Sequence, residues 1–158
     1  MTIVRDGLRD ATAVPNAHSE CAAPEPLHGH VPASDIGRAR LRDIDLALRG
    51  RRNVLITGQF HQCERILALI GPAFELPITR WHTGERLTLR PASMVATLVL
   101  HEVGELDRFD QIRLHGWLDA ARTVRIISLS TTPLIDRVNQ GKFLEDLYYR
   151  LNTIHIEA

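Results

Sequence analysis

The 158-residue sequence predicts an α/β fold in which a parallel sheet carries helices on both faces. Three observations predict it. Asn53–Thr57, Thr97–Leu100 and Val124–Leu129 are short apolar runs without polar alternation, as strands buried on both faces read. Segments with apolar residues at helical spacing lie between them. Apolar residues make up 44% of the chain, enough for one core without metal or disulfide staples.

The elements follow in order. Prolines at 15, 24, 26 and 32 among Ala, His and few large apolar groups make residues 1–33 an expected disordered arm. His18, His28 and His30 fall in it and read as polar tail residues. The folded domain is expected over residues 34–158. Ser34 is an N-cap for a helix over Asp35–Arg49, with Ile36, Leu41, Ile44 and Leu48 on one face and Gly50 as its stop. Strand Asn53–Thr57 ends at Gly58. Cys63–Gly71 reads as a helix with Ile66, Leu67 and Ile70 inward, and Phe74–Thr79 as a strand. Leu87 and Leu89 suggest a brief strand. Thr97–Leu100 is followed by an acidic turn and a helix from about Phe109 to Ala121. Strand Val124–Leu129, helices over Pro133–Gln140 and Phe143–Leu151, and strand Thr153–Glu157 complete the series. Ligand sites in such sheets lie off the carboxyl ends of the strands, here Gly58, His101 and Ser130.

Composition excludes several classes. Nineteen Lys+Arg against nineteen Asp+Glu give no net charge, so the overall basic charge of a general nucleic-acid or membrane-surface binder is missing. Two cysteines, Cys21 and Cys63, exclude a disulfide scaffold and a four-cysteine zinc module. No apolar run approaches the ~18 residues of a membrane span. Met1–Asp10 is charged throughout and lacks the apolar stretch of a secretory signal, so a cytoplasmic protein is expected.

The last third of the chain carries longer motifs. Thr97-Leu98-Val99-Leu100-His101-Glu102-Val103-Gly104-Glu105-Leu106 resembles the Walker B segment of the AAA+ domain of sigma-54-dependent transcriptional activators, Thr-Leu-Phe-Leu-Asp-Glu-Ile-Gly-Glu-Leu. Val124–Ile127 resembles the strand bearing that family's sensor asparagine. Gly141-Lys142-Phe143-Leu144-Glu145-Asp146-Leu147-Tyr148-Tyr149-Arg150-Leu151-Asn152 is similar to its Gly-Arg-Phe-Arg-Glu-Asp-Leu-Tyr-Tyr-Arg-Leu-Asn signature. Asn53–Gly58 then matches the strand entering a Walker A loop. The resemblance covers residues 34–158 and implies a P-loop NTPase-like fold, the AAA+ core α/β subdomain.

The nucleotide-site residues that the resemblance implies are changed. A Walker A loop wraps phosphates with backbone N–H groups, and its lysine contacts the outer phosphates. The matching segment runs Gly58-Gln59-Phe60-His61-Gln62-Cys63-Glu64-Arg65. Gly58 is kept, His61 and Cys63 stand at the later glycines, and Glu64 stands at the lysine. Two unit charges ~4 Å apart interact by roughly 4 kcal/mol at an effective dielectric of 20, so a carboxylate there repels what a lysine attracts. Arg65 would restore the charge only by a one-residue shift onto another helix face. His101 replaces the magnesium-organising aspartate and is a poor partner for a hard cation. Thr131 replaces the sensor asparagine. Leu144 replaces the first arginine of the final signature, whereas Glu102 and Arg150 match the water-activating glutamate and the second arginine.

Two family insertions are also missing. Thirty-six residues separate Glu64 from His101, without the Gly-Ala-Phe-Thr-Gly-Ala loop that touches sigma-54 in the family, and five separate Leu118 from Val124. A core without the helical lid or the DNA-reading helix-turn-helix is expected. The sequence therefore predicts a non-hydrolysing regulatory or protein-interaction module with a protein partner, such as a transcription regulator. It is expected not to bind DNA directly and to form a monomer or small dimer rather than a ring. No cofactor is expected. The alternatives are a residual magnesium–ATP-binding ATPase that uses Arg65, and a small metal site if His61, Cys63, His101 and Glu102 converge. Glu102 and Arg150 read either as functional groups or as local structural contacts. Trp81 reads as an exposed interface residue, Trp117 as core, and Asp107, Asp110 and Arg113 as a solvated helix face.

Overall fold

The structure, a computed structural model, describes residues 33–158, with side chains from residue 37. The arm expected before the domain lies, except for Ala33, outside the described residues. Within them the elements run α1 (Ala33–Arg49), β1 (Val54–Thr57), α2 (Phe60–Ile70), β2 (Ile78–Trp81) and β3 (Thr97–Leu100). They continue through α3 (Arg108–Ala120), β4 (Arg125–Ser130), α4 (Leu134–Asn139) and α5 (Glu145–Leu151) to β5 (Ile154–Glu157). Short 3-10 turns at Gly71–Ala73, Ala92–Met94 and Val103–Glu105 punctuate the connections.

The five strands form one parallel sheet in the order β2-β3-β4-β1-β5. Residues that alternate along each strand feed two cores, one per face. Leu55, Leu98, Leu100 and Ile126 pack with Leu114 and Leu118 of α3, Leu134 of α4, and Leu147 and Leu151 of α5. On the other face Val54, Ile56, Val99, Ile127 and Leu129 pack with Ile44 and Ala47 of α1 and Cys63, Ile66, Leu67 and Ile70 of α2. Both faces are covered, which is why these strands are apolar runs.

Five expectations change. Helix α2 begins at Phe60 rather than Cys63, which leaves only Gly58 and Gln59 between it and β1. The strand expected over Phe74–Thr79 is Ile78–Trp81, and Leu87 and Leu89 lie in irregular chain. Leu87 is nonetheless core at 1% exposure, and Arg113 of α3 holds its carbonyl oxygen at 3.2 Å. Trp81 is buried at 5% exposure and donates its indole N–H to the Glu85 carbonyl oxygen at 2.8 Å. Trp117 packs partly buried against the core, with its indole N–H on the Arg90 carbonyl oxygen. The inward face of α1 carries Ile44 and Ala47, whereas Leu41 is 68% exposed. Arg125 accounts for that rotation. Its buried guanidinium donates to the carbonyl oxygen of Ala47 and, at 3.3 Å each, to those of Arg52 and Ala73, fixing the end of α1 against the sheet.

Gln111 ties two loops to α3. Its amide nitrogen donates to the carbonyl oxygens of Leu106 (2.8 Å) and Lys142 (3.0 Å), and its side-chain oxygen accepts from the Leu144 N–H (2.9 Å). Only 1% of this residue is exposed, so water cannot substitute for these bonds. Gln111→Leu keeps the volume and strands three backbone groups. It is expected to lower stability by about 2–4 kcal/mol in urea denaturation, and a loss below about 0.5 kcal/mol would contradict this role.

Candidate functional site

Parallel pairing brings the carboxyl ends of β1, β3 and β4 level, because Thr57 lies opposite Ser130 and Leu100 opposite Ser128. The residues that leave those strands therefore share one end of the sheet. Gly58 turns out of β1 at φ 146°. A Cβ there would meet Ala158 at 3.0 Å, so glycine fits both the backbone and the space.

The segment after Gly58 is helical almost at once. Gln59 is the N-cap, and its carbonyl oxygen accepts from the N–H groups of Gln62 (2.9 Å) and Cys63 (3.0 Å). Those two N–H groups close the first turn of α2 instead of facing an open phosphate loop. Successive residues then point ~100° apart. His61 is exposed. Cys63 is 1% exposed and begins the stripe Cys63, Ile66, Leu67, Ile70 that packs on the sheet. Burial, followed by the nearby Glu102 and Glu64 carboxylates, pushes its thiol up to about 11 and keeps it protonated at neutral pH. Arg65 is exposed beside Gln62, Ile66 and Leu69, on a cleft that Arg40 of α1 also lines.

Glu64 points to the end of β3. Its Oε1 lies 3.1 Å from Nδ1 of His101, with alignment short of a hydrogen bond. His101 is 7% exposed, and its backbone N–H is bonded to the Trp81 carbonyl oxygen at 3.0 Å. The ring of His82, the first residue past β2, stacks on it at 4.1 Å and 19°. The His101 Nε2 is buried without a hydrogen-bond partner among the described residues. Burial first, then the charges of His82 and Arg80, hold the His101 imidazole below its usual range, against the opposing pull of Glu64.

Glu102 adopts a left-handed conformation (φ 53°) and turns its carboxylate across to β4. Its Oε2 accepts from the backbone N–H and the hydroxyl of Thr131, each at 3.0 Å. The positions that match the family's glutamate and sensor are thus bonded to each other. The next turn is closed by Arg137 of α4, which donates to the Gly104 carbonyl oxygen at 2.6 Å and pairs with Glu105. A Cβ on Gly104 would meet Arg137 at 3.2 Å, so the glycine makes room for it.

The structure thus brings together Gly58, Glu64, His101, Glu102 and Thr131. It turns three of the remaining candidates elsewhere: His61 faces solvent, Cys63 packs into the core although Glu64 and Glu102 are near it, and Arg65 lies on another side of α2. The set His61, Cys63, His101 and Glu102 does not converge, and among the described residues no three His, Cys, Asp or Glu side chains are grouped to hold a metal ion. Arg150 stands at the opposite end of the sheet. Its carbonyl oxygen accepts from Asn53, just before β1, and its guanidinium pairs with Asp119 at 2.6 Å. That contact lowers the Asp119 carboxyl below its usual range. His82 is the residue that sequence reasoning missed. A strand ending at Thr79 leaves it unplaced, whereas Trp81 opposite Leu100 puts His82 beside His101.

Known proteins match this chain in sequence and in fold. The family model described as the sigma-54 interaction domain matches residues 74–158. The sigma-54-dependent transcriptional regulator SfnR of Pseudomonas fluorescens is 37% identical over a match covering 39% of this chain and 20% of that protein. The transcriptional regulatory protein ZraR of Escherichia coli K12 is 34% identical over 39% of this chain and 17% of its own length. The match therefore spans about a fifth of these relatives. In structure, NtrX from Brucella abortus in complex with ATP superposes with a TM-score of 0.59 at 20% identity, covering 85% of this chain and 38% of that one. The P-loop NTPase domain of the sigma-54 transport activator from E. coli gives 0.51 at 21% identity, over 78% and 96%. The Thermotoga maritima RuvB Holliday junction branch migration motor gives 0.53 at 15%, over 85% and 48%. These likenesses show a P-loop NTPase-like fold. No helix among the described residues is long and apolar enough to cross a membrane.

The buried His101 sets a pH dependence. Its folded-state pKa lies below the unfolded value of about 6.5, so on acidification the unfolded chain takes a proton that the folded one resists. Stability from this residue is full above about pH 6.5 and falls as pH drops from there toward the folded-state pKa. His101→Phe keeps a ring against His82 without titrating, and urea denaturation between pH 7 and 5 should show a shallower loss for it than for the parent. Parallel profiles would contradict the assignment.

Proposed function

The chain belongs to the sigma-54 interaction domain family, and from that premise we propose that it is a non-hydrolysing member acting as a regulatory, protein-binding module in transcription control. The observation that carries this reading is the contact of Glu64 with His101. In the motifs that this chain resembles, those positions hold a phosphate-binding lysine and a magnesium-organising aspartate. Here an anion stands where phosphates would lie, and an imidazole held below its usual pKa, hence neutral at physiological pH, stands where a hard cation needs carboxylate oxygen. Magnesium–ATP does not fit these residues.

The neighbouring geometry supports the same reading. The N–H groups of Gln62 and Cys63 are bonded within α2, Glu102 is engaged by Thr131, and Arg65 points away from Glu64. Leu144 at the first arginine position removes a further cation of the kind that stabilises phosphoryl transfer. Arg150, the arginine retained, is paired with Asp119 at the far end of the sheet. The module's partner on this reading is a protein, such as a transcription regulator, reached without direct DNA contact. With no bridging nucleotide, the chain is a monomer or small dimer rather than a ring.

A titration with a fluorescent ATP analogue, with and without magnesium, tests the proposal beside a phosphate-release assay. The expected outcome is no turnover and a dissociation constant weaker than about 1 mM, under ~4 kcal/mol of binding free energy. A micromolar constant that depends on magnesium, or sustained phosphate release, would overturn it.

A further inference from the structure

The amino ends of the strands carry a cluster of arginines that the nucleotide-site reading does not use. β4, β1 and β5 are neighbours, with Val54 opposite both Ile127 and Ile154, so the segments that enter them lie side by side. Arg122 precedes β4, Arg51 and Arg52 precede β1, and Arg150 ends α5 just before β5. Together they border a cleft of about 460 Å³ whose floor is the nearly buried Leu118, Ala121 and Val124.

The charges in this cleft do not balance. Arg51 is paired with Glu75, and Arg150 with Asp119. Arg52 and Arg122 are exposed and have no carboxylate within 4.0 Å among the described residues. On the opposite face of the sheet Arg125, 4% exposed, donates to three carbonyl oxygens, Arg52's among them, and forms no ion pair among the described residues. In a chain with no net charge, the two exposed guanidinium groups of Arg52 and Arg122 give the cleft a local positive potential. Asn53 stiffens the rim, accepting from the Ile126 N–H at 2.9 Å and donating to the Arg150 carbonyl oxygen at 2.8 Å.

We propose that this cleft is a binding site for a small phosphate ester, held by the guanidinium groups of Arg52 and Arg122 with its organic part against Leu118, Ala121 and Val124. Guanidinium forks match the paired oxygens of a phosphate, and two of them without a carboxylate partner suit a multiply charged anion. The cleft lies in the size range of small-ligand sites, and its apolar floor would take a ring or chain that a bare ion lacks. The site is at the other end of the sheet from Glu64 and His101, so it stands or falls independently of any nucleotide bound there.

Calorimetric titration of the full chain at low salt, with inorganic pyrophosphate and with AMP as probes, tests this. One saturable site is expected, with AMP at least as tight as inorganic phosphate run beside it, and with binding weakened by added salt. The variant R52Q/R122Q should weaken pyrophosphate and AMP by about tenfold or more while leaving the unliganded melting temperature unchanged. Arg86→Gln, an exposed charge loss elsewhere, should leave both affinities unchanged. The proposal is overturned by the absence of saturable heat, by affinity that survives R52Q/R122Q, or by an equal loss in Arg86→Gln. Saturable binding of a single-stranded oligonucleotide with none for the small probes would also overturn it, assigning the patch to a polymer backbone.

Discussion

Helix α2 starts two residues after Gly58, and that start sets where every following side chain points. At ~100° per residue, a helix that places Cys63, Ile66, Leu67 and Ile70 on the sheet must turn His61 and Arg65 to solvent and set Glu64 at the edge of the buried stripe. The four buried residues form an i, i+3, i+4, i+7 stripe, and their contacts with Val54, Ile56 and Ile127 hold the helix in that rotation. Glu64 cannot leave the end of β3 without withdrawing the stripe from the core. Its encounter with His101 is therefore a consequence of packing, and the same packing closes the first helical turn where a phosphate loop would open.

Around that constraint the carboxyl end of the sheet is bonded to itself. Glu102 bridges to Thr131, Arg137 covers Gly104, and His82 lies on His101. Each contact joins a loop to its neighbour and occupies a group that ligand chemistry would need free. The amino end differs. There Arg52 and Arg122 stand over an apolar floor without a carboxylate partner among the described residues. One parallel sheet thus presents two unlike ends, as expected when all strands run the same way and no end is shared.

Much of this was legible in the residues. The apolar runs located β1, β3 and β4 to within a residue, because strands buried on both faces cannot hide their composition. The motifs placed Glu64 and His101 at corresponding stations, and they are in contact. The start of α2 was misplaced by one turn, although Cys63 continues the stripe of Ile66, Leu67 and Ile70 and could have revealed it. Of the inward face that Ile36, Leu41, Ile44 and Leu48 suggest for α1, Ile44 is buried, whereas Leu41 and Leu48 are exposed and the smaller Ala47 is what the sheet accepts. Trp81 looked exposed because β2 was drawn two residues early, and that slip also hid His82. Gln111 and Arg125 were invisible for another reason: a polar residue buried by carbonyl partners from distant loops leaves no periodic trace.

A double-mutant cycle between Glu64 and His101 tests the coupling most directly. Glu64→Lys sets an ammonium group against the buried His101, which Arg80 and His82 already oppose, and His101→Asp sets two carboxylates side by side, so each single variant should lose stability. The combination sets an ammonium group beside a carboxylate and so offsets both losses. Urea denaturation should give a coupling free energy of at least ~1 kcal/mol in favour of the double variant. Effects that add within about 0.3–0.5 kcal/mol would show that the two positions do not act as a pair, and would contradict the account of the site.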